Sequence, residues 1–246
     1  MLSFIVPAYN EELELPSTLS AIRAAADANS EPYEILVVDD GSTDTTAAVA
    51  TTGGARVVTI HRRQIAAARN AGAREARGDI LFFVDADTRI SPAHVTGVQG
   101  ALAAGCAGGG ARGKLDGLVP LWGRVFVRVF SAFYFTVANL GAGAFLFTTR
   151  KNFDRAGGFD EQLFAGEEIY FSQALKKLGR FRVLADPVVT SGRKLRMYSA
   201  RKILGLSVGI VLRGKQGVRS RDRLGLWYDG KRETRAREST GGNARG

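Results

Sequence analysis

Residues 80–90 read ILFFVDADTRI: five apolar side chains in a row, then two aspartates, Asp85 and Asp87, with one alanine between them. An apolar run without polar alternation is the mark of a strand buried on both faces, as in a parallel sheet covered by helices. Charged groups follow it with no intervening turn signal, so the strand end itself should face a ligand. Two carboxylates spaced i, i+2 point to the same side if the backbone stays extended.

The same pattern recurs upstream, in LSFIVPAY (2–9), EILVVDD (34–40) and ARVVTI (55–60). Between these runs lie Ala-rich segments with helical spacing, such as Leu15, Leu19 and Ile22, or QIAAARNAGAREAR (64–77), with Gly78 expected as its C′ glycine. Ser42 and Thr43 read as the cap of the helix after the second strand, and Asp44 as a first-turn residue. The order is βαβαβαβ over residues 1 to about 114, which predicts an α/β fold with an open, mainly parallel sheet covered on both faces. Ligands of such sheets lie beyond the carboxyl ends of the strands. Those ends are Tyr9-Asn10-Glu11, Asp39-Asp40 and Asp85 with Asp87, and they should converge on one crevice.

From about 115 the composition becomes aromatic, and residues 129–149 form 21 consecutive uncharged positions, long enough to span a bilayer. Ser131, Asn139 and the Gly141-Ala142-Gly143 break favour instead an amphipathic helix to about Asn139 and a buried strand AFLFTT (144–149). GEEIYFSQALKKLG (166–179) predicts a helix with Ile169, Ala174, Leu175 and Leu178 on its apolar side. RKILGLSVGIVLRG (201–214) is a basic-ended apolar helix too short to span.

Charge divides the chain further. Residues 193–246 hold 15 Lys/Arg against 4 Asp/Glu, so the net +10 belongs to the C-terminal quarter and residues 1–192 carry −1. We read 1–192 as one domain, with a ligand half at 1–114 and a second half at 115–192. Residues 193–230 form a basic helical extension, and 231–246, without a large apolar residue, a disordered tail. The basic quarter suits an anionic surface, and peripheral membrane contact is expected there. A single cysteine, Cys106, and an N-terminus without the features of a leader point to a reducing cytoplasm. His61 and His94 stand at no ligand spacing.

Paired carboxylates at a strand end are donors for a hard divalent cation, Mg²⁺ or Mn²⁺, which takes one or two of them and completes its shell with water and phosphate oxygens. FIVPAYNEE (4–12), VVDDGSTD (37–44), AAARNAG (66–72), DAD (85–87) and GGFDEQLFAGEE (157–168), in this order and spacing, resemble the signature series of the family-2 glycosyltransferases with the GT-A fold. The likeness runs from about residue 2 to 190. It implies a nucleoside-diphosphate sugar donor, of UDP or GDP type, with Pro7, Tyr9 and Glu11 at the first strand end. Tyr9 would stack on the base, Asp40 would hydrogen-bond it, Asp85 would hold the ribose, and Arg69 would lie in the same pocket. Asp87 would be the metal ligand.

By the same resemblance Glu167-Glu168 matches the family's Glu-Asp pair, so Glu168, standing where Asp is usual, would be the catalytic base of an inverting transfer. The acceptor is left open, a lipid-linked one being compatible with the basic quarter, and no nucleic acid is expected. The Gln-x-x-Arg-Trp element of the processive synthases is missing. Two other classes remain. A GT-A-like nucleotidyltransferase would carry a Gly-rich loop near the first strand, where VPAYNEELELP (6–16) has no glycine. A non-enzymatic basic surface-binding protein would leave the clustered aspartates unexplained, because carboxylates repel a phosphate backbone.

Overall fold

The computed structural model describes residues 1–117, 120–124, 139–141, 143–199, 201, 205 and 214–219. The four strands expected in the first half are present: β1 (Leu2–Ala8), β2 (Tyr33–Asp39), β3 (Arg56–Thr59) and β4 (Ile80–Val84). They run parallel, with Ala8 beside Asp39 and Phe4 beside Phe82, so their carboxyl ends share one edge. Helices α1 (Leu15–Asp27), α2 (Thr46–Thr52) and α3 (Ile65–Glu75) make the crossovers.

All seven residues of β1 are buried, which is why its sequence shows no alternation. Phe4, Val6, Phe82 and Val84 face one core with Leu15, Leu19 and Ile22 of α1, together with Val95 and Val98 of α4 (Pro92–Ala103). Ile5, Leu36, Val38 and Phe83 face the other, beneath the alanines of α3. A cluster of Phe83, Phe153, Phe159 and Phe171 closes that side, with Phe159 stacked on Phe171 at 4.2 Å.

The sheet continues past β4 to eight strands in the order β3-β2-β1-β4-β7-β6-β8-β5. The expected AFLFTT strand is β7 (Phe145–Thr149), antiparallel to both β4 and β6 (Cys106–Leu115). Three strands had no signal in the sequence. In β6, Cβ atoms on Gly108 and Gly109 would lie 2.6 Å from the Phe147 carbonyl and 2.0 Å from that of Arg182, so glycine stands where β-formers usually would. The other two are β8 (Arg180–Thr190), broken by bulges against β6, and the two-residue β5 (Thr88–Arg89). The boundary expected at 114 falls at the end of β6, whose partners are β7 and β8 of the second half.

Several local expectations are corrected. Gly78 is not a C′ glycine: α3 ends at Glu75, and a Cβ at Gly78 would meet the Met1 carbonyl at 2.6 Å, so its role is close approach to β1. Helix α2 starts at Thr46, beyond Ser42 and Thr43, which instead bond to Asn10, while Asp44 precedes the helix and accepts the Thr46 N–H at 2.9 Å. The apolar face of α6 (Glu167–Leu178), which follows α5 (Arg150–Ala156), is centred on Phe171 and Leu175 rather than on Ile169 and Ala174.

The helix expected up to Asn139 and most of that at 201–214 lie outside the described residues, as does the tail. Among the described residues no helix is long and apolar enough to cross a membrane. The described parts of the basic extension fold back on the domain. The short helix α7 (Arg193–Met197) follows β8 closely, and Val218 is buried against Leu163 and Ala165, its carbonyl accepting the Phe164 N–H at 2.8 Å.

Candidate active site

At the carboxyl edge of β1, β2 and β4 lies a crevice of about 360 Å³ lined by Pro7, Tyr9, Glu11, Asp40, Arg69, Asp85, Asp87, Glu167 and Glu168, with Arg63, Arg193 and Tyr198 among the others. All nine residues singled out from the sequence therefore meet in one place. Asn10 and Asp39 do not line it. Asn10 adopts a left-handed φ of 52° and binds Thr43, and Asp39 is buried, accepting the Ser42 N–H at 3.2 Å.

Asp85 and Asp87 reach the crevice by a route the sequence did not suggest. The strand ends at Val84 and the chain turns, Thr88 N–H donating to the Asp85 carbonyl at 3.0 Å, so the two carboxylates converge through a turn rather than through extended alternation. Asp40 is held by the loop after β3: its two oxygens accept the N–H groups of Arg62, Arg63 and Gln64 at 2.6, 2.8 and 2.7 Å. One carboxylate thus fixes three consecutive residues leading into α3.

Arg69 is the centre of the site. It is 1 % exposed, and its guanidinium donates to Glu167 at 2.5 Å, to Asp85 at 2.9 Å and to the Gly143 carbonyl at 2.8 Å. Burial alone would push the guanidinium down, but Asp85, Glu167 and Glu168 around it hold it above its ordinary value. It joins the strand-end carboxylate of the first half to the first turn of α6 in the second, a role beyond the pocket placement the sequence suggested.

Glu167 and Glu168 are thereby set apart. Glu167 is buried as Arg69's partner, whereas Glu168 lines the crevice wall with its carboxyl pushed up to about 8, by burial first and by the neighbouring Glu167 second. A carboxylate held near neutral proton affinity is suited to take a proton at physiological pH.

Sequence reasoning missed two residues. Arg193, the first of the basic quarter, grips Glu11 with both terminal nitrogens and lies 3.2 Å from Asp87. Burial would lower its proton affinity, but Glu11 and Asp87 raise it well above the ordinary arginine value. Arg63 lies over the Tyr9 ring, its guanidinium carbon 3.2 Å from the centroid. Arg193 had only the charge asymmetry as a signal and Arg63 had none, since neither stands near its partners in sequence.

The donor set fits a hard divalent cation. Asp85 and Asp87 both line the crevice, Asp85 paired with Arg69 and Asp87 3.2 Å from Arg193, and among the described residues no three His, Cys, Asp or Glu side chains form a metal cage. Mg²⁺ and Mn²⁺ are held in this open manner, leaving positions for water and phosphate oxygens.

The model of the family described as glycosyl transferase family 2 matches residues 3–143. An undecaprenyl-phosphate 4-deoxy-4-formamido-L-arabinose transferase of Aeromonas hydrophila is 36% identical over 102 residues, 39% of this chain and 31% of that protein. The match therefore spans about a third of that relative's length. Among solved structures, the mannosyltransferase PcManGT from Pyrobaculum calidifontis in complex with GDP-Man and Mn²⁺ superposes with a TM-score of 0.62 at 23% identity, covering 83% of this chain and 60% of its own. Glucosyl-3-phosphoglycerate synthase from Mycobacterium tuberculosis, in complex with Mn²⁺ and UDP-glucose, gives 0.61 at 19% identity, covering 90% and 80%. The fold shared with these neighbours is GT-A.

Proposed function

Because this chain belongs to glycosyl transferase family 2, we propose that it moves a sugar from a nucleoside-diphosphate sugar to an acceptor hydroxyl or lipid phosphate, with inversion and with a divalent cation. The observation that carries this reading is the meeting, in one crevice, of the strand-end residues Tyr9, Asp40, Asp85 and Asp87 with Glu167 and Glu168 from the first turn of α6. A non-enzymatic surface binder gives no reason for so many carboxylates in one crevice, and a nucleotidyltransferase would carry a Gly-rich loop where residues 6–16 hold no glycine.

In this reading Tyr9 offers its ring to the base and Asp85, steadied by Arg69, accepts from the ribose. Asp87, with Asp85 beside it, would hold Mg²⁺ or Mn²⁺, which when bound neutralises charge gathering on the departing diphosphate. Glu168 takes the proton of an acceptor hydroxyl as that oxygen attacks the anomeric carbon from the side opposite the leaving group. Arg69 holds Glu167 and so keeps the neighbouring carboxyl free for that task.

The neighbours' complexes with GDP-Man and with UDP-glucose support a nucleotide donor, and the name of the Aeromonas relative supports a lipid phosphate acceptor. The +11 of residues 193–246 supports contact with an anionic membrane surface, where such an acceptor would be met. A thermal-shift panel of UDP, GDP and their sugars, with and without Mn²⁺, tests the reading. A ligand at a hundredfold excess over its Kd stabilises by about 2.7 kcal/mol. If no nucleotide shifts the transition with or without Mn²⁺, the donor assignment falls.

A further inference from the structure

Tyr9 is the ring on which, in the function proposed above, the base of the donor stacks, and the inference below rests on that reading. The Arg63 guanidinium carbon lies over this ring, 3.2 Å from its centroid, which is contact distance and leaves no room for a second planar group on that face. The arrangement follows from how the backbone is held. Arg63 has a φ of 51°, in the left-handed region that disfavours a residue with a Cβ. It stays there because Asp40 accepts its N–H and those of both neighbours, and because Gln64 donates its side-chain amide to the carbonyls of Glu161 and Leu163. The α-carbon is fixed from two sides, and the side chain is launched toward Tyr9.

We propose that Arg63 is the resident occupant of the base seat, and that it makes the site selective for nucleoside diphosphates over uncharged nucleosides. A base can take the Tyr9 face only if the guanidinium leaves it. A nucleoside offers nothing in exchange for the lost cation–π contact, whereas a diphosphate offers the displaced cation two anionic groups in the same crevice. Among the described residues that line the crevice, the carboxylates that already hold Arg69 and Arg193 leave Arg63 as the arginine whose head group rests on an aromatic ring rather than in a bidentate or multiple ion pair.

The experiment is a calorimetric comparison of uridine, guanosine, UDP and GDP on the full chain and on R63G and R63K. Glycine removes the arm and relieves the left-handed backbone, so R63G is expected to fold. It should bind the nucleoside more tightly than the wild type by roughly two- to thirtyfold, the range of a cation–π contact converted at about 1.4 kcal/mol per tenfold. It should also lose part of the preference for the diphosphate. R63K, which keeps the charge and part of the hold on the ring, should gain less nucleoside affinity than R63G and keep more of the diphosphate affinity. If the wild type binds UDP or GDP but R63G binds the nucleoside no better, the base uses another surface and the inference is overturned alone. If no nucleotide binds any of the three proteins, the donor reading and the inference fall together.

Discussion

The guanidinium of Arg193 lies 3.2 Å from the carboxylate of Asp87, the residue proposed to hold the cation, and at the same time bonds Glu11 at 2.7 and 2.5 Å. The first residue of the basic quarter thus joins the end of β1 to the turn after β4. A positive charge beside Asp87 opposes a second cation there. Arg193→Gln should therefore tighten donor-free Mn²⁺ binding, measured by Mn²⁺ electron paramagnetic resonance, while lowering the melting temperature of the metal-free protein because buried Glu11 loses its partner. Unchanged Mn²⁺ affinity would remove Asp87 from the cation's surroundings.

Glu168→Gln keeps the shape of the side chain but not its proton affinity. With a hydroxyl acceptor, kcat should drop by roughly 10²–10⁴-fold with little change in donor affinity. The wild-type kcat should rise with pH toward about 8, where the carboxyl loses its proton, and the variant should lack that limb. A loss below about tenfold would mean that the acceptor arrives already ionised, as a phosphate does.

The same group gives stability a pH dependence of definite sign. Its carboxyl takes up a proton near 4.5 when unfolded and at about 8 in the fold, so the folded state holds the extra proton between these values. Its contribution to stability is complete below 4.5 and is lost as pH rises through 8. Denaturant titrations from pH 5 to 8.5 should show Glu168→Gln gaining on the wild type as pH rises, and parallel curves would contradict the shift.

Arg69→Met should be among the most damaging substitutions outside the apolar core. It leaves Glu167 buried and Asp85 half-buried without their cation, a loss on the order of 3–5 kcal/mol. Adding Glu167→Gln should recover part of it, and a strictly additive double variant would mean that the pair is not coupled.

Gly72, the last residue of AAARNAG, tests packing rather than chemistry. A Cβ there would lie 2.4 Å from Ile5 Cγ2 and 2.9 Å from Val38 Cγ2, between α3 and the sheet. Gly72→Ala should cost about 1–3 kcal/mol by chemical denaturation, with the helix pushed off β1 and β2. A stabilised variant, as helix propensity alone would give, would show that α3 can move away freely.

The parallel strands were legible in the sequence because burial on both faces leaves no alternation to confuse with a helix, and β1, β2 and β4 follow their apolar runs closely. The convergence of Tyr9, Asp40, Asp85 and Asp87 was legible for the same reason, since parallel strands carry their carboxyl ends to one edge. What the sequence hid was decided by contacts distant along the chain. The glycines of β6 take their meaning from the carbonyls of Phe147 and Arg182, and the turn at Asp85–Thr88 replaces the extended geometry that spacing alone suggests. Which of two adjacent glutamates is tied to an arginine depends on Arg69, brought to Glu167 by the packing of α3 beneath the sheet. Arg193 and Arg63 came into view only in the folded molecule, because long cationic side chains find their partners by position in space, which local pattern does not encode.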